Sequence, residues 1–257
     1  MSRIKTLFGK KKQGILNVYC TAGFPERDST LSVMEALQEN GADLIELGMP
    51  YSDPLADGEV IQQSSAQALA GGMTIPVLFE QLKGFRKRVQ VPAILMGYMN
   101  PVLQYGFERF CRDAAELGID GLILPDLPEY EFEKEYGEIF RKYGLDFIFL
   151  VTPETSEARV KKLDNLSTGF LYAVSSSSTT GAEKNMVNIK DYLEKLRSYG
   201  LINPILVGFG IKDNKSFAEA CAHANGAIIG SAYIRTLQGN KDVKGATRAF
   251  LSSVLGK

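Results

Sequence analysis

Asp43-Leu-Ile-Glu46-Leu-Gly48-Met-Pro50-Tyr-Ser-Asp53-Pro-Leu-Ala-Asp57-Gly58 is the stretch on which the reading of this chain turns. It opens as an apolar strand with one acid, Glu46, inside it. It breaks at Gly48 and Pro50 and ends in a loop that carries a second acid, Asp57. Taking a carboxylate out of water is costly unless a cation or hydrogen-bond donor compensates. An acid within a buried strand therefore has either a structural partner or a chemical task.

Working outward, similar apolar runs occur at 15–21, 93–98, 121–125, 146–151, 169–174, 204–208 and 227–230, which with 43–48 makes eight predicted strands. Most are apolar along their whole length, the mark of parallel strands covered on both faces. Amphipathic patterns predict helices over 29–38, 107–117, 129–143, 156–166, 189–199, 213–223 and 243–255. The stretch 59–89 is too long for one helix, and Gly71-Gly72 and Pro76 predict that it splits in two. Strand, loop and helix in repetition imply parallel pairing with right-handed crossovers. Eight strands in 257 residues fit a (β/α)8 TIM barrel with extra short helices, one domain over 1–257. The competing architecture is a doubly wound open sheet. Its usual G-x-G-x-x-G after the first strand is missing; that position reads Thr21-Ala-Gly-Phe-Pro25.

Composition removes several function classes. Net charge is −1 with no long basic block, so neither nucleic acid nor an anionic membrane is expected as a partner. Lys10-Lys11-Lys12 reads as a solvated terminal turn. Cys20, Cys111 and Cys221 are scattered without CxxC spacing, which predicts reduced thiols and a cytoplasmic location. No run approaches the roughly 18 apolar residues of a membrane span, and the first residues show no signal-peptide core.

Barrels of this kind carry their chemistry at the C-terminal strand ends. No predicted strand holds a lysine, which disfavours a Schiff base. The single histidine, His223, lies in a helical stretch and reads as structural; with three scattered cysteines it gives neither a zinc site nor a Ser-His-Asp relay. Carboxylates remain. Glu46 has no strand lysine or arginine to pair with, so burial should raise its pKa toward neutrality, as suits a general acid/base. Asp57 is either reactive or the cap of a helix starting near Glu59. Asp53 fits a turn, and Asp126, between Pro125 and Pro128, fits either a rigid turn or a further acid.

Gly208-Phe-Gly210 and Gly230-Ser231 end the last two strands, where many barrels bind phosphate on backbone N–H groups and a short helix started here by Ser231. The polar run from Ser175 to Gly181 is either a lid or a connector. The other strand ends, Tyr19, Met96, Tyr98, Ile123, Leu150, Tyr172 and Phe209, suit a flat apolar ring better than a polyol.

These motifs together resemble the tryptophan synthase alpha subunit family. The segment from Glu46 to Gly58 resembles its strand-two signature, and Thr180-Gly181-Ala182, Gly208-Phe209-Gly210 and Gly230-Ser231-Ala232 resemble its later loop motifs, in the family's order. The resemblance implies retro-aldol cleavage of indole-3-glycerol phosphate to indole and glyceraldehyde 3-phosphate. It implies Glu46 as the proton carrier and Asp57 as acceptor of the indole N–H. It places the phosphate on Gly181, Gly210, Gly230 and Ser231, and the ring among Tyr19, Met96, Ile123, Leu150, Tyr172 and Phe209, with Ile61 and Tyr98 nearby and Thr180 as a further substrate-binding residue. It also implies no cofactor or metal in this chain, and a beta subunit partner that carries pyridoxal phosphate (PLP) in an α2β2 complex, met by loop 50–56 and the loop-six lid. One departure stands out: many family members have an arginine and a glycine where this chain reads Ser175-Ser-Ser-Ser-Thr179.

Overall fold

The computed structural model describes residues 2–174, 189–208 and 210–257. Nine strand segments form one all-parallel sheet: β1 (Ile15–Thr21), β2 (Leu44–Gly48), β3 (Ala93–Met96), β4 (Gly121–Ile123), β5 (Asp146–Phe147), β6 (Leu150–Val151), β7 (Leu171–Val174), β8 (Ile205–Gly208) and β9 (Gly226–Ile229). Their order is β5-β4-β3-β2-β1-β9-β8-β7-β6. The two ends of that order are consecutive in the chain. β5 and β6 are halves of the predicted strand 146–151, the first bonded to β4 and the second to β7. Between them the Ile148 N–H donates to the Leu122 carbonyl (3.1 Å), while the Phe149 carbonyl accepts from the Tyr172 N–H (3.1 Å). The sheet thus closes on itself as an eight-stranded (β/α)8 barrel whose fifth strand changes partner midway.

The side-chain period of a strand is two, so register decides what points inward. Tyr19 lies opposite Glu46, Glu46 opposite Ile94, and Gly48 opposite Met96. Ile15, Leu44, Ile94, Ile123, Ile148, Phe170, Leu206 and Ile228 form a buried cluster distinct from the larger one between sheet and helices. Such bulky branched residues fill a barrel interior as packed layers.

The N-terminal end of the barrel is plugged by the helix Arg3–Lys10, which sends Ile4 and Phe8 into the inner cluster. Ser2 caps it, accepting from the Lys5 N–H at 3.2 Å. This helix is absent from the sequence reading. Lys10 is its last residue, and Lys11 donates to Asp43 Oδ2 at 2.6 Å, so the lysine run is a helix end tied to the loop before β2 rather than a wholly solvated turn.

Residues 59–89 divide as expected, into Glu59–Ala70 and Ile75–Gln81, with Gly72 at φ +85° between them. A second helix the sequence reading lacks, Met99–Tyr105, carries Pro101 in its first turn, where a missing N–H costs nothing. The predicted helix 129–143 forms with a π-helical turn over Phe132–Tyr136. Ser231–Leu237 is the anticipated short helix after the last strand. Cys20, Cys111 and Cys221 are free thiols, and no helix among the described residues is long and apolar enough to cross a membrane.

Candidate functional site

A cavity of about 320 Å³ opens at the C-terminal ends of the strands, with Glu46 and Asp57 both in its wall. β2 places Glu46 there by alternation: Leu44 packs one layer down in the inner cluster, and Glu46 follows two residues later on the same face. Its side chain is buried, and among the described residues it forms no ion pair. Its partner is an amide: Asn17 Nδ2 donates to Glu46 Oε2 at 2.9 Å. Burial pushes the Glu46 carboxyl up to about 8; the Asn17 hydrogen bond opposes this and the charge of Asp57 adds to it. Glu46 is therefore largely protonated at neutral pH.

Asp57 is not the cap of the following helix. Gly58 holds that position with no side-chain cap, and it is the Asp57 backbone carbonyl that accepts from Gln62 Nε2, at 2.8 Å. The carboxylate is left for the cavity. Burial raises it to about 6, against a hydrogen bond from the Tyr98 hydroxyl that lowers it. The same hydroxyl accepts from the Ala56 N–H at 3.0 Å, so Tyr98 holds the loop that delivers Asp57. At neutral pH one acid is mostly protonated and the other mostly ionised, a separation that lets two carboxyl groups take different roles.

The walls beside these acids are aromatic and apolar. Tyr19 lies over Gly48, where a Cβ would stand 2.0 Å from its hydroxyl, and Tyr172 lies over Gly208, where a Cβ would stand 2.5 Å from its ring. Glycine at these two strand ends is what gives the rings room. Ile61, Met96 and Leu150 add to the apolar lining, with Val174, Ile211 and Ile228. Ile123 is fully buried, paired with Met96 in register, and does not reach the cavity. Tyr98 likewise is not in the wall and meets the site through Asp57 and the loop that carries it.

Across the cavity lie Gly210, with φ +47°, and Gly230 and Ser231 at the start of the helix Ser231–Leu237. The first N–H groups of a helix have no partner within it and carry partial positive charge. Lys212 and Arg235 line the same end, and the sequence reading passed over both. The signal was present: one cation lies two residues beyond Gly210 and the other one helical turn beyond Ser231. Thr180, Gly181 and Phe209, with the expected lid, lie outside the described residues.

The other candidates go elsewhere. Both carboxylate oxygens of Asp126 accept from the Met99 N–H at 3.0 Å, which makes it the anchor of the helix Met99–Tyr105. Asp53 accepts from the Ser52 hydroxyl in an exposed turn. His223 Nδ1 lies 3.8 Å from Glu194 on the outer helices. No group of three or more metal-ligating side chains is found among the described residues.

An acid pair beside an aromatic slot, facing a cationic, glycine-lined rim, is a specific arrangement, and known proteins share the chain that builds it. A family profile described as tryptophan synthase alpha chain matches residues 6–254. The tryptophan synthase alpha chain of Bacteroides thetaiotaomicron is 47% identical over 94% of this chain and 95% of its own length. That of Flavobacterium johnsoniae is 50% identical over 92% and 94%. Among solved structures, tryptophan synthase subunit alpha from Legionella pneumophila superposes with a TM-score of 0.90 at 36% identity, covering 100% of this chain and 98% of its own. Tryptophan synthase from Mycobacterium tuberculosis, in an aminoacrylate-bound form, gives 0.86 at 30% identity over 99% and 98%. On the match of its whole length and of the barrel that carries the two acids, the chain belongs to the tryptophan synthase alpha chain family.

Proposed function

We propose that this chain, acting as one barrel domain over residues 1–257, is the lyase that cleaves indole-3-glycerol phosphate to indole and D-glyceraldehyde 3-phosphate. The observation that carries the reading is the buried Glu46, unpaired by any described cation and raised to about 8, in one cavity wall with an Asp57 raised only to about 6.

The chemistry runs on these two groups. Indole is a poor leaving group until its C3 is protonated. Glu46, starting as the acid, gives its proton to C3, and positive charge develops toward the ring nitrogen. Asp57, starting as the carboxylate, accepts the ring N–H and stabilises that charge, an electrostatic effect strong in a water-poor site. Glu46, now a carboxylate, takes the proton of the glycerol hydroxyl nearest the ring as the C–C bond breaks. The bond's electron pair returns to the ring, the hydroxyl carbon becomes the aldehyde, and Glu46 ends protonated as it began. The ring itself is the electron sink, so the step calls on no cofactor or metal. Tyr19, Ile61, Met96, Leu150 and Tyr172 would enclose the indole, with Tyr98 and Ile123 supporting from behind and Phe209 from loop seven. Thr180, Gly181, Gly210, Gly230 and Ser231 would take the phosphate, with Lys212 and Arg235 adding charge.

The family's alpha chains are named as parts of tryptophan synthase. By the same reading this chain would pass indole to a PLP-containing beta subunit in a cytoplasmic α2β2 complex for L-tryptophan synthesis. Loop 50–56, where Leu55 is 81% exposed, is the surface we assign to that contact. The test is indole release from indole-3-glycerol phosphate by the purified chain, alone and with a beta subunit. Indole formed in either arm is the expected result; none in both would overturn the reading.

A further inference from the structure

Among the described residues Asn17 is the one side chain that hydrogen-bonds to Glu46, and the site described above gives it no task. It lies in the middle of β1, is fully buried, and pairs in register with Leu44 and Ile228 of the apolar inner cluster. Only half of its amide is satisfied: Nδ2 donates to Glu46 Oε2, while Oδ1 is buried with no hydrogen-bond partner among the described residues. A buried polar atom left unpaired is destabilising, and an apolar side chain of the same shape would remove that cost. A residue kept for packing alone has no reason to be an amide here.

We infer that Asn17 is a positioning residue for the cleavage reaction: its amide grips one oxygen of Glu46, leaves the other for the substrate, and sets how strong an acid Glu46 is. The inference rests on the reading of Glu46 as the proton carrier. A donor to a carboxylate favours the ionised form. Without Asn17, Glu46 would hold its proton more tightly and give it up to C3 more slowly, and its carboxyl plane would be free to turn. The other groups facing Glu46 cannot stand in for the amide. Tyr19 and Cys20 on β1 and Tyr172 on β7 are close enough to feel the charge of Glu46 but donate no hydrogen bond to it among the described residues, and Asp57 is a like charge that pushes Glu46 further up. Lys212 and Arg235 share the cavity, but neither forms an ion pair with Glu46. β3 offers only Ile94 and Met96.

The test is the pH dependence of kcat/KM for indole release by Asn17→Leu and by the isosteric Asn17→Asp, with wild type and Glu46→Gln alongside. In wild type an alkaline limb near 8 is expected from Glu46, since Asp57 lies lower and burial lifts the tyrosines and Cys20 well above it. For Asn17→Leu the expected result is an alkaline limb moved upward by about one pH unit, with kcat down about tenfold and KM within about twofold. Asn17→Asp keeps the shape of the amide and gives a second variant in which the limb can be read if the leucine variant does not fold. It loses the donor and adds a like charge, and should move the limb in the same direction. A limb that stays put in the folded variants, whatever happens to thermal stability, overturns the inference. If Glu46→Gln retains substantial activity, the reading of Glu46 itself fails. If Glu46→Gln is inactive and the limb is immobile, only the role of Asn17 fails.

Discussion

Two of the buried acids, Glu46 and Asp120, lie at opposite ends of this barrel and are treated in opposite ways. Asp120, just before β4 at the N-terminal end, is held by everything a carboxylate can ask for. Arg86 and Arg3 both pair with it, the latter at 3.0 Å, and the Ala93 N–H donates at 2.8 Å. Arg86 in turn donates to the carbonyls of Gly118 (2.9 Å) and Val91 (2.7 Å), so the cluster ties β3, β4 and the N-terminal helix together. Glu46, at the other end, has no cation and a single amide donor. A buried charge with matched partners fixes structure, and one without them is pushed toward its neutral form. That contrast separates the end of the barrel that holds the fold from the end placed to move protons.

Experiments can break the contrast at either acid. The largest effect is expected for Glu46→Gln, which keeps shape and hydrogen bonding but cannot carry the proton: indole release should fall by at least about 10³-fold, while a phosphate-bearing ligand still binds. Next comes Arg86→Leu, which leaves Asp120 with the Ala93 N–H and, as its one remaining cation, the half-exposed Arg3. It should cost on the order of 3 kcal/mol in denaturant unfolding and leave kcat of the folded enzyme nearly unchanged. A matching loss of kcat would erase the division between the two ends. Asp57→Asn should lower kcat by about 10²-fold, because a neutral amide stabilises the ring cation less than a carboxylate does.

The pH profile sharpens the same point. Activity needs Asp57 ionised and Glu46 protonated, so kcat/KM should fall as pH drops below about 6 and as it rises above about 8. The same shift also makes stability depend on pH. The folded state raises Glu46 from its ordinary 4.5 to about 8, so the folded chain binds a proton that the unfolded chain has released between those values. The contribution of Glu46 is therefore full below about 4.5 and is lost progressively as pH rises through about 8. Glu46→Gln should remove that slope, leaving the variant relatively more stable than wild type at alkaline pH in thermal melts.

Much of this was legible in the sequence because it rests on short-range pattern. The strands are apolar runs, and the order of strand and helix determines a parallel barrel. Glu46 declared itself as the acid in the second run. What escaped depended on packing at a distance. The helix Arg3–Lys10 is short and basic, and its stripe of Ile4 and Phe8 gains meaning only once a barrel end is there to be plugged. Met99–Tyr105 was hidden by Asn100-Pro101, which reads as a turn until Asp126 is found anchoring its first turn. The ambiguity of Asp57 needed the cap of the next helix to be seen on Gly58. Asn17 gave the same signal as Glu46, a polar residue inside an apolar strand. Its meaning depends on Glu46 lying beside it on the next strand, and an amide is a less conspicuous partner for an acid than a lysine or arginine.

Glu46 is an acid at neutral pH because the fold buries it and denies it a cation. The most direct measurement is a titration of its side-chain carboxyl by 13C NMR in the folded enzyme, with the resonance assigned by its loss in Glu46→Gln. The account predicts a midpoint near 8; a midpoint near the ordinary glutamate value of 4.5 would contradict it.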